Sequence, residues 1–200
     1  MMPGAMLPRF LTALSLSIAL AAAAPAGTAV RLTLADLADR SDLCLEAKVT
    51  AARAILESGK RIDTEYTLSV LRTFWGEAQA SRAIRLPGGV LPDGRGMVLP
   101  GLRGLEPGEE VLLFLSKPDP LGMRVPIGLA QGTLRVETDK LGRKHLVPDE
   151  RGLAIVAPGG APQANEPPRV LDYAAAVAEI ESALAARRAR ENAAKEKGDR

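Results

Sequence analysis

The stretch that most constrains this chain is residues 105–118, LEPGEEVLLFLSKP, where a turn, a continuous apolar run and a hard stop follow one another. Pro107-Gly108 precedes the run and Lys117-Pro118 ends it, so Val111 to Leu115 has room for a strand but not for a stable helix. An apolar run of that length with no polar alternation is a core strand buried on both faces. The rest of the fold has to supply a layer on each side of it.

The composition can supply those layers. Of 200 residues, 46% are hydrophobic, enough for a real core, while only 3% are aromatic, so the core is mostly aliphatic. The 26 basic and 24 acidic residues leave a formal charge of +2, which gives no basic patch and no reason to expect nucleic acid as a partner. Cys44 is the only cysteine, so no internal disulfide staples the fold. With Leu43 and Leu45 beside it, Cys44 reads as a small apolar filler.

Residues 1–26 have the layout of a secretory signal peptide: Arg9 near the start, an uncharged Leu/Ala-rich run over 10–24, then small residues at Ala24-Pro25-Ala26. The apolar run is shorter than the ~20 residues a membrane-spanning helix needs. Cleavage is expected after Ala26 or Ala29, with no transmembrane anchor afterwards and a periplasmic or secreted product.

The following segment, 30–157, reads as the folded domain. Thr33 and Asp36 form the pattern of a capping box ahead of a short helix over 34–40. Asp36, Asp39 and Asp42 have no Gly-centred ligand loop with them, so no metal is expected there. From Leu43 the period becomes two, with Leu43, Leu45, Ala47 and Val49 on one face and Cys44, Glu46 and Lys48 on the other, and the strand runs on to Leu56. A polar loop over 57–60 turns it into a return strand, whose core parity is Ile62, Tyr66, Leu68, Val70 and Phe74. Arg72 and Leu71 break that parity, which predicts a bulge near them. Short strands follow at 82–86, 97–99, 111–115, 124–129, 133–137, 144–147 and 153–157, separated by Gly/Pro turns. The glycines over 88–104 lack the Gly-Lys-Ser/Thr ending of a phosphate loop and read as turn residues.

Residues 158–169, PGGAPQANEPPR, contain four prolines and no apolar run, the composition of a linker. Over 170–200 the period becomes helical. Tyr173, Val177, Ile180 and Leu184 form one stripe over a helix expected at 171–192, and Arg187, Arg188 and Arg190 sit late, where they favour the helix dipole. That stripe needs cover from a partner, a second copy or the domain itself. The linker predicts that the helix is separable from the domain and serves as a partner contact.

Close-spaced strands without crossover helices define a mainly β fold, here expected as a small antiparallel β-barrel of OB type with a short N-terminal and a C-terminal helix. Three segments carry a family resemblance: 42–49 (DLCLEAKV), 66–76 (YTLSVLRTFWG) and 105–115 (LEPGEEVLLFL). Together, over about 34–116, they resemble netrin-like domains, the OB-fold class that contains the tissue inhibitors of metalloproteinases. This chain lacks the N-terminal cysteine and disulfides of those inhibitors, so protease inhibition does not transfer. Thr64-Glu65-Tyr66, Pro87-Gly88-Gly89, Gly108-Glu109-Glu110 and Gln131-Gly132 are also similar to a family of exported bacterial proteins of unknown activity. That resemblance implies a fold and a compartment but no activity.

No catalytic residue and no cofactor are expected from the sequence. His145, the only histidine, has no cysteine, serine motif or second histidine placed with it and reads as a strand-surface residue. A carboxylate-dependent hydrolase would have to use Glu109 and Glu110, but neighbours on a strand point to opposite faces and cannot flank one bond. Trp75, at a strand end before Gly76, reads first as a cover for the barrel end, with a ligand platform as the alternative and the one ligand-binding candidate. The expectation is therefore an exported, non-catalytic binding or interaction module for a protein or other envelope ligand. The alternative is an accessory subunit of an envelope complex that makes its contact through Tyr173, Val177, Ile180 and Leu184.

Overall fold

The computed structural model describes residues 28–57, 59–148, 154–156 and 169–198. The signal-peptide segment 1–26 and residues 158–168 of the linker lie outside them. In chain order the elements are β1 (Thr28–Val30), α1 (Leu34–Arg40), β2 (Leu43–Glu57), β3 (Arg61–Trp75), β4 (Ser81–Pro87), β5 (Gly89–Val90), β6 (Gly96–Met97), β7 (Glu110–Leu115), a 3-10 turn (Leu129–Gly132), β8 (Thr133–Thr138), β9 (Lys144–Pro148), β10 (Ala154–Val156), β11 (Leu171–Asp172) and α2 (Tyr173–Gly198).

Seven strands make one antiparallel sheet in the order β11-β9-β8-β7-β2-β3-β4, so the chain is mainly β, as the strand pattern predicts. The strands at the two ends of that order do not pair with each other. Strand β7 lies at the centre with Val111, Leu112, Leu113, Phe114 and Leu115 all fully buried. Alternation sends Val111, Leu113 and Leu115 into one core with Tyr66, Leu68 and Ile84, and Leu112 and Phe114 into a second core on the opposite face.

The long β2–β3 hairpin carries the predicted bulge. Glu46 pairs with Arg72 and Ala47 with Val70, which leaves Leu71 as the extra residue. Beyond it the side-chain alternation shifts, so Phe74 packs in the second core instead of following Tyr66 and Leu68 into the first. On the other face of β2, Cys44 is buried as an apolar filler would be, and Glu46 is buried with it, because the two helices cover that face.

Helix α1 starts as its sequence requires. The Thr33 hydroxyl accepts from Asp36 N–H at 3.1 Å, and Asp36 Oδ2 accepts from Thr33 N–H at 3.0 Å. Helix α2 buries Ala176, Ile180 and Leu184 against Leu112, Phe114, Leu134 and Leu146 of the sheet, and Val177 is buried as well. Of the three covers open to its stripe, a partner, a second copy or the domain itself, the structure shows the domain. Arg187, Arg188 and Arg190 also do not end the helix, which runs on to Gly198. Arg187 instead donates to the Ser41 and Ala38 carbonyls at 2.6 and 3.2 Å at the end of α1, where the Ser41 hydroxyl also donates to the Ala38 carbonyl at 3.0 Å.

The strand expected over 124–129 is not one. Pro126 has no donor, and Gly128 and Leu129 take positive φ values of 67° and 61°, which turn the chain into the 3-10 segment. The preceding residues still connect two parts of the sheet. Arg124 N–H donates to the Arg85 carbonyl of β4, while Ser116 N–H and the Val125 carbonyl join the same segment to the end of β7.

Candidate functional site

One end of the β3–β4 pair carries a cleft of about 250 Å³. Its walls come from Leu86 on β4, from Val90 and Met97 on the small β5–β6 ribbon, and from Leu99 and Leu102 in the loop that follows. Tyr66 stands at its base, only 3% exposed, with its hydroxyl accepting from Leu105 N–H at 3.1 Å. No acceptor takes the hydroxyl proton of Tyr66 among the described residues, which leaves that proton available to the cleft.

The glycines of the cleft hold the backbone where side chains could not fit. Gly89 has φ 140°, and a Cβ there would collide with Thr64 Oγ1. The Thr64 hydroxyl itself donates to the Gly88 carbonyl at 2.7 Å and pins the ribbon to β3. A side chain on Gly104 would approach the Tyr66 hydroxyl to 3.2 Å. These glycines therefore shape a cavity wall, a role beyond the simple turns that their sequence context predicts.

The charge at the mouth is compensated. Arg103 lines the cleft and forms an ion pair with Glu109, whose other oxygen accepts from Glu106 N–H at 2.8 Å. Around this apolar opening Val90 and Val98 are 64% and 83% exposed. Of the short segments singled out in the sequence, Thr64 to Tyr66 and Pro87 to Gly89 meet at this cleft, and Gly108 to Glu110 reaches it through the Glu109–Arg103 pair. Gln131 acts elsewhere: its side chain accepts from Leu32 N–H at 2.8 Å and donates to the Val30 carbonyl at 3.0 Å, holding the end of β1.

Trp75 is not an open platform. Its half-buried ring packs in the second core, and the Arg187 guanidinium carbon sits 4.3 Å from its centroid, with that of Arg188 at 5.3 Å. The ring covers that end of the sheet and is itself covered. Ile180 and Leu184 pack on the sheet, Val177 is buried, and the Tyr173 hydroxyl is bonded to Glu46, so the four proposed partner contacts are engaged inside the domain.

The remaining chemistry-bearing residues are held in structural roles. His145 Nε2 lies 3.3 Å from Asp139 Oδ2, a companion that sequence spacing did not reveal. Asp139, however, accepts from the Leu141 and Arg143 backbone N–H groups at 2.8 and 2.9 Å and from the Arg143 side chain, so it staples the β8–β9 hairpin. Those bonds, led by the Arg143 backbone, hold its carboxyl far below the usual carboxylate range. Glu109 and Glu110 are separated, the first paired with Arg103 and the second with Lys144 at 2.6 Å. Cys44 is fully buried, and burial pushes its thiol well above the ordinary cysteine range.

Among the described residues no three His, Cys, Asp or Glu side chains are grouped to hold a metal, and no helix is long and apolar enough to cross a membrane. The fold and cleft define a mainly β domain with a small, mostly apolar recess, in which the charge of Arg103 is compensated by Glu109. No protein-family model, curated protein or solved structure matches the chain.

Proposed function

We propose that this chain is an exported, non-catalytic binding module that holds a small ligand in the Tyr66 cleft. The observation that carries the reading is the recess itself: apolar walls, a glycine-shaped rim and one buried hydroxyl with a proton to give. Sites of this composition bind by shape and one or two polar contacts, and the nucleophile, base and oxyanion donors of a catalytic site are not assembled around it.

The finer fold reading belongs to the same proposal. Strands β7, β2, β3 and β4 form a small barrel of OB type, closed by residues 123–127, with the first core inside it. Support comes from the backbone bonds of Arg124 to Arg85 and of Ser116 to Val125, together with the likeness of residues 34–116 to netrin-like domains. Helix α2 then belongs to the module, where it covers the outer face of the sheet.

Export is supported by the layout of residues 1–26. Strand β1 begins at Thr28, so a cut after Ala26 leaves it whole, whereas a cut after Ala29 removes two of its three residues. Fractionation followed by N-terminal sequencing tests this: a periplasmic or secreted product beginning near Gly27 is expected, and a cytoplasmic product that keeps Met1 would end the proposal of export.

A further inference from the structure

Resting on that binding reading, we infer the class of ligand: a small neutral molecule with an aliphatic body and one carbonyl near its end, which accepts from the Tyr66 hydroxyl. Size comes first. The cleft of about 250 Å³ lies below the ~300–1,000 Å³ typical of sites for drug-sized ligands. A recess of that size suits a short chain rather than a drug-sized molecule.

Shape and polarity narrow the class. Leu86, Val90, Met97, Leu99 and Leu102 are all aliphatic, and Tyr66 is the one aromatic side chain in the lining, so no second ring is present to sandwich a planar group. A flexible chain fits such walls better than a flat ring system does. Charge selects against ions: Arg103 is already paired with Glu109, so a ligand anion would have to displace a carboxylate, and a cation would meet an arginine. The base of the cleft provides a donor. The Tyr66 oxygen is occupied by Leu105 N–H, so the hydroxyl proton is directed to a ligand acceptor, and Gly104 leaves the space beside it open.

The test is calorimetric titration of the purified protein at neutral pH with 2-octanone, octanoate and octylammonium, repeated on Leu99→Trp and Tyr66→Phe. Leu99 is a half-buried loop residue, so a tryptophan there fills the recess without entering the core. The proposal expects 2-octanone to bind most tightly, Leu99→Trp to abolish its binding and Tyr66→Phe to weaken it about tenfold, the loss of roughly one good hydrogen bond. Tighter binding of octanoate or octylammonium, abolished by Leu99→Trp, would overturn the neutral class while leaving the binding module standing. Ketone binding unchanged in Tyr66→Phe would overturn the role of the hydroxyl. If none of the three probes binds, or if Leu99→Trp leaves binding unchanged, the inference and the cleft reading both fall. Should Tyr66→Phe not fold, the ranking of the three probes and Leu99→Trp still decide the matter.

Discussion

The Tyr173 hydroxyl donates to the Glu46 carboxylate at 2.6 Å, linking the first residue of α2 to the middle of the buried half of β2 across 127 positions of sequence. Glu46 is 3% exposed, and its other oxygen has Lys144 Nζ at 3.5 Å. Lys144 lies over the Tyr173 ring and bonds Glu110 at 2.6 Å, so two carboxylates, an ammonium and a phenol share one seam beneath the helix. A carboxylate so deeply buried is tolerated because each of its oxygens has a donor nearby.

Replacing Tyr173 by phenylalanine removes the closer of those donors and keeps the ring. A loss of about 1–3 kcal/mol is expected, the cost of leaving a buried acceptor short of a partner. Urea denaturation of the variant measures it, and a change within about 0.5 kcal/mol would place Tyr173 with ordinary surface residues.

The same seam sets an alkaline limit. Burial, and then the Glu46 carboxylate, raise the Tyr173 phenol, while the hydrogen bond to Glu110 raises Lys144. Groups raised on folding contribute stability that is complete below their unfolded pKa values, about 10 for each, and that disappears as pH climbs through the folded values. The urea midpoint is therefore expected to fall above about pH 10, less steeply in Tyr173→Phe. A midpoint flat to pH values well beyond that would show the seam makes no contribution.

Helix α2 is predicted to be required for folding. Ile180 is fully buried in the second core, and Ile180→Ala should cost about 2–5 kcal/mol. Deleting residues 173–198 strips the cover from Leu112, Phe114 and Cys44 and should abolish the cooperative thermal melt. A truncated protein that keeps the native β-signal in circular dichroism and melts cooperatively would restore the picture of a detachable helix.

Cys44 should be inert in the folded state. Its thiol is enclosed, and burial disfavours the thiolate that reacts. Labelling with a maleimide is expected to be negligible in buffer and complete in denaturant. Full modification of the native protein within minutes would mean the second core opens easily.

Much of the fold was legible because it rests on local pattern. The apolar run over Val111 to Leu115, bounded by Pro-Gly and Lys-Pro, reads as a strand buried on both faces and is one. Thr33 and Asp36 carry the capping box in four residues, and the broken parity at Leu71 and Arg72 marks the bulge. Each signal lies within a few residues of the structure it specifies.

The cleft was legible only in pieces. Thr64, Tyr66, Gly88, Gly89 and Arg103 lie up to 39 positions apart, and no local period states that two strands and a loop bring them to one end of the sheet. The partner role expected for Tyr173, Val177, Ile180 and Leu184 failed for a related reason. The stripe marks a surface that needs cover, but a helical period does not name the surface that covers it.

By itself, then, the sequence determined a mainly β class, the central strand, the first helix and the hairpin with its bulge, since these depend on alternation, capping and turn chemistry between near neighbours. Tertiary structure alone decided that α2 closes on its own sheet, that Arg187 lies over Trp75, and that Tyr66 stands at the base of a recess. Those outcomes depend on long-range burial, in which each apolar or charged surface finds whichever complementary surface the chain path brings to it.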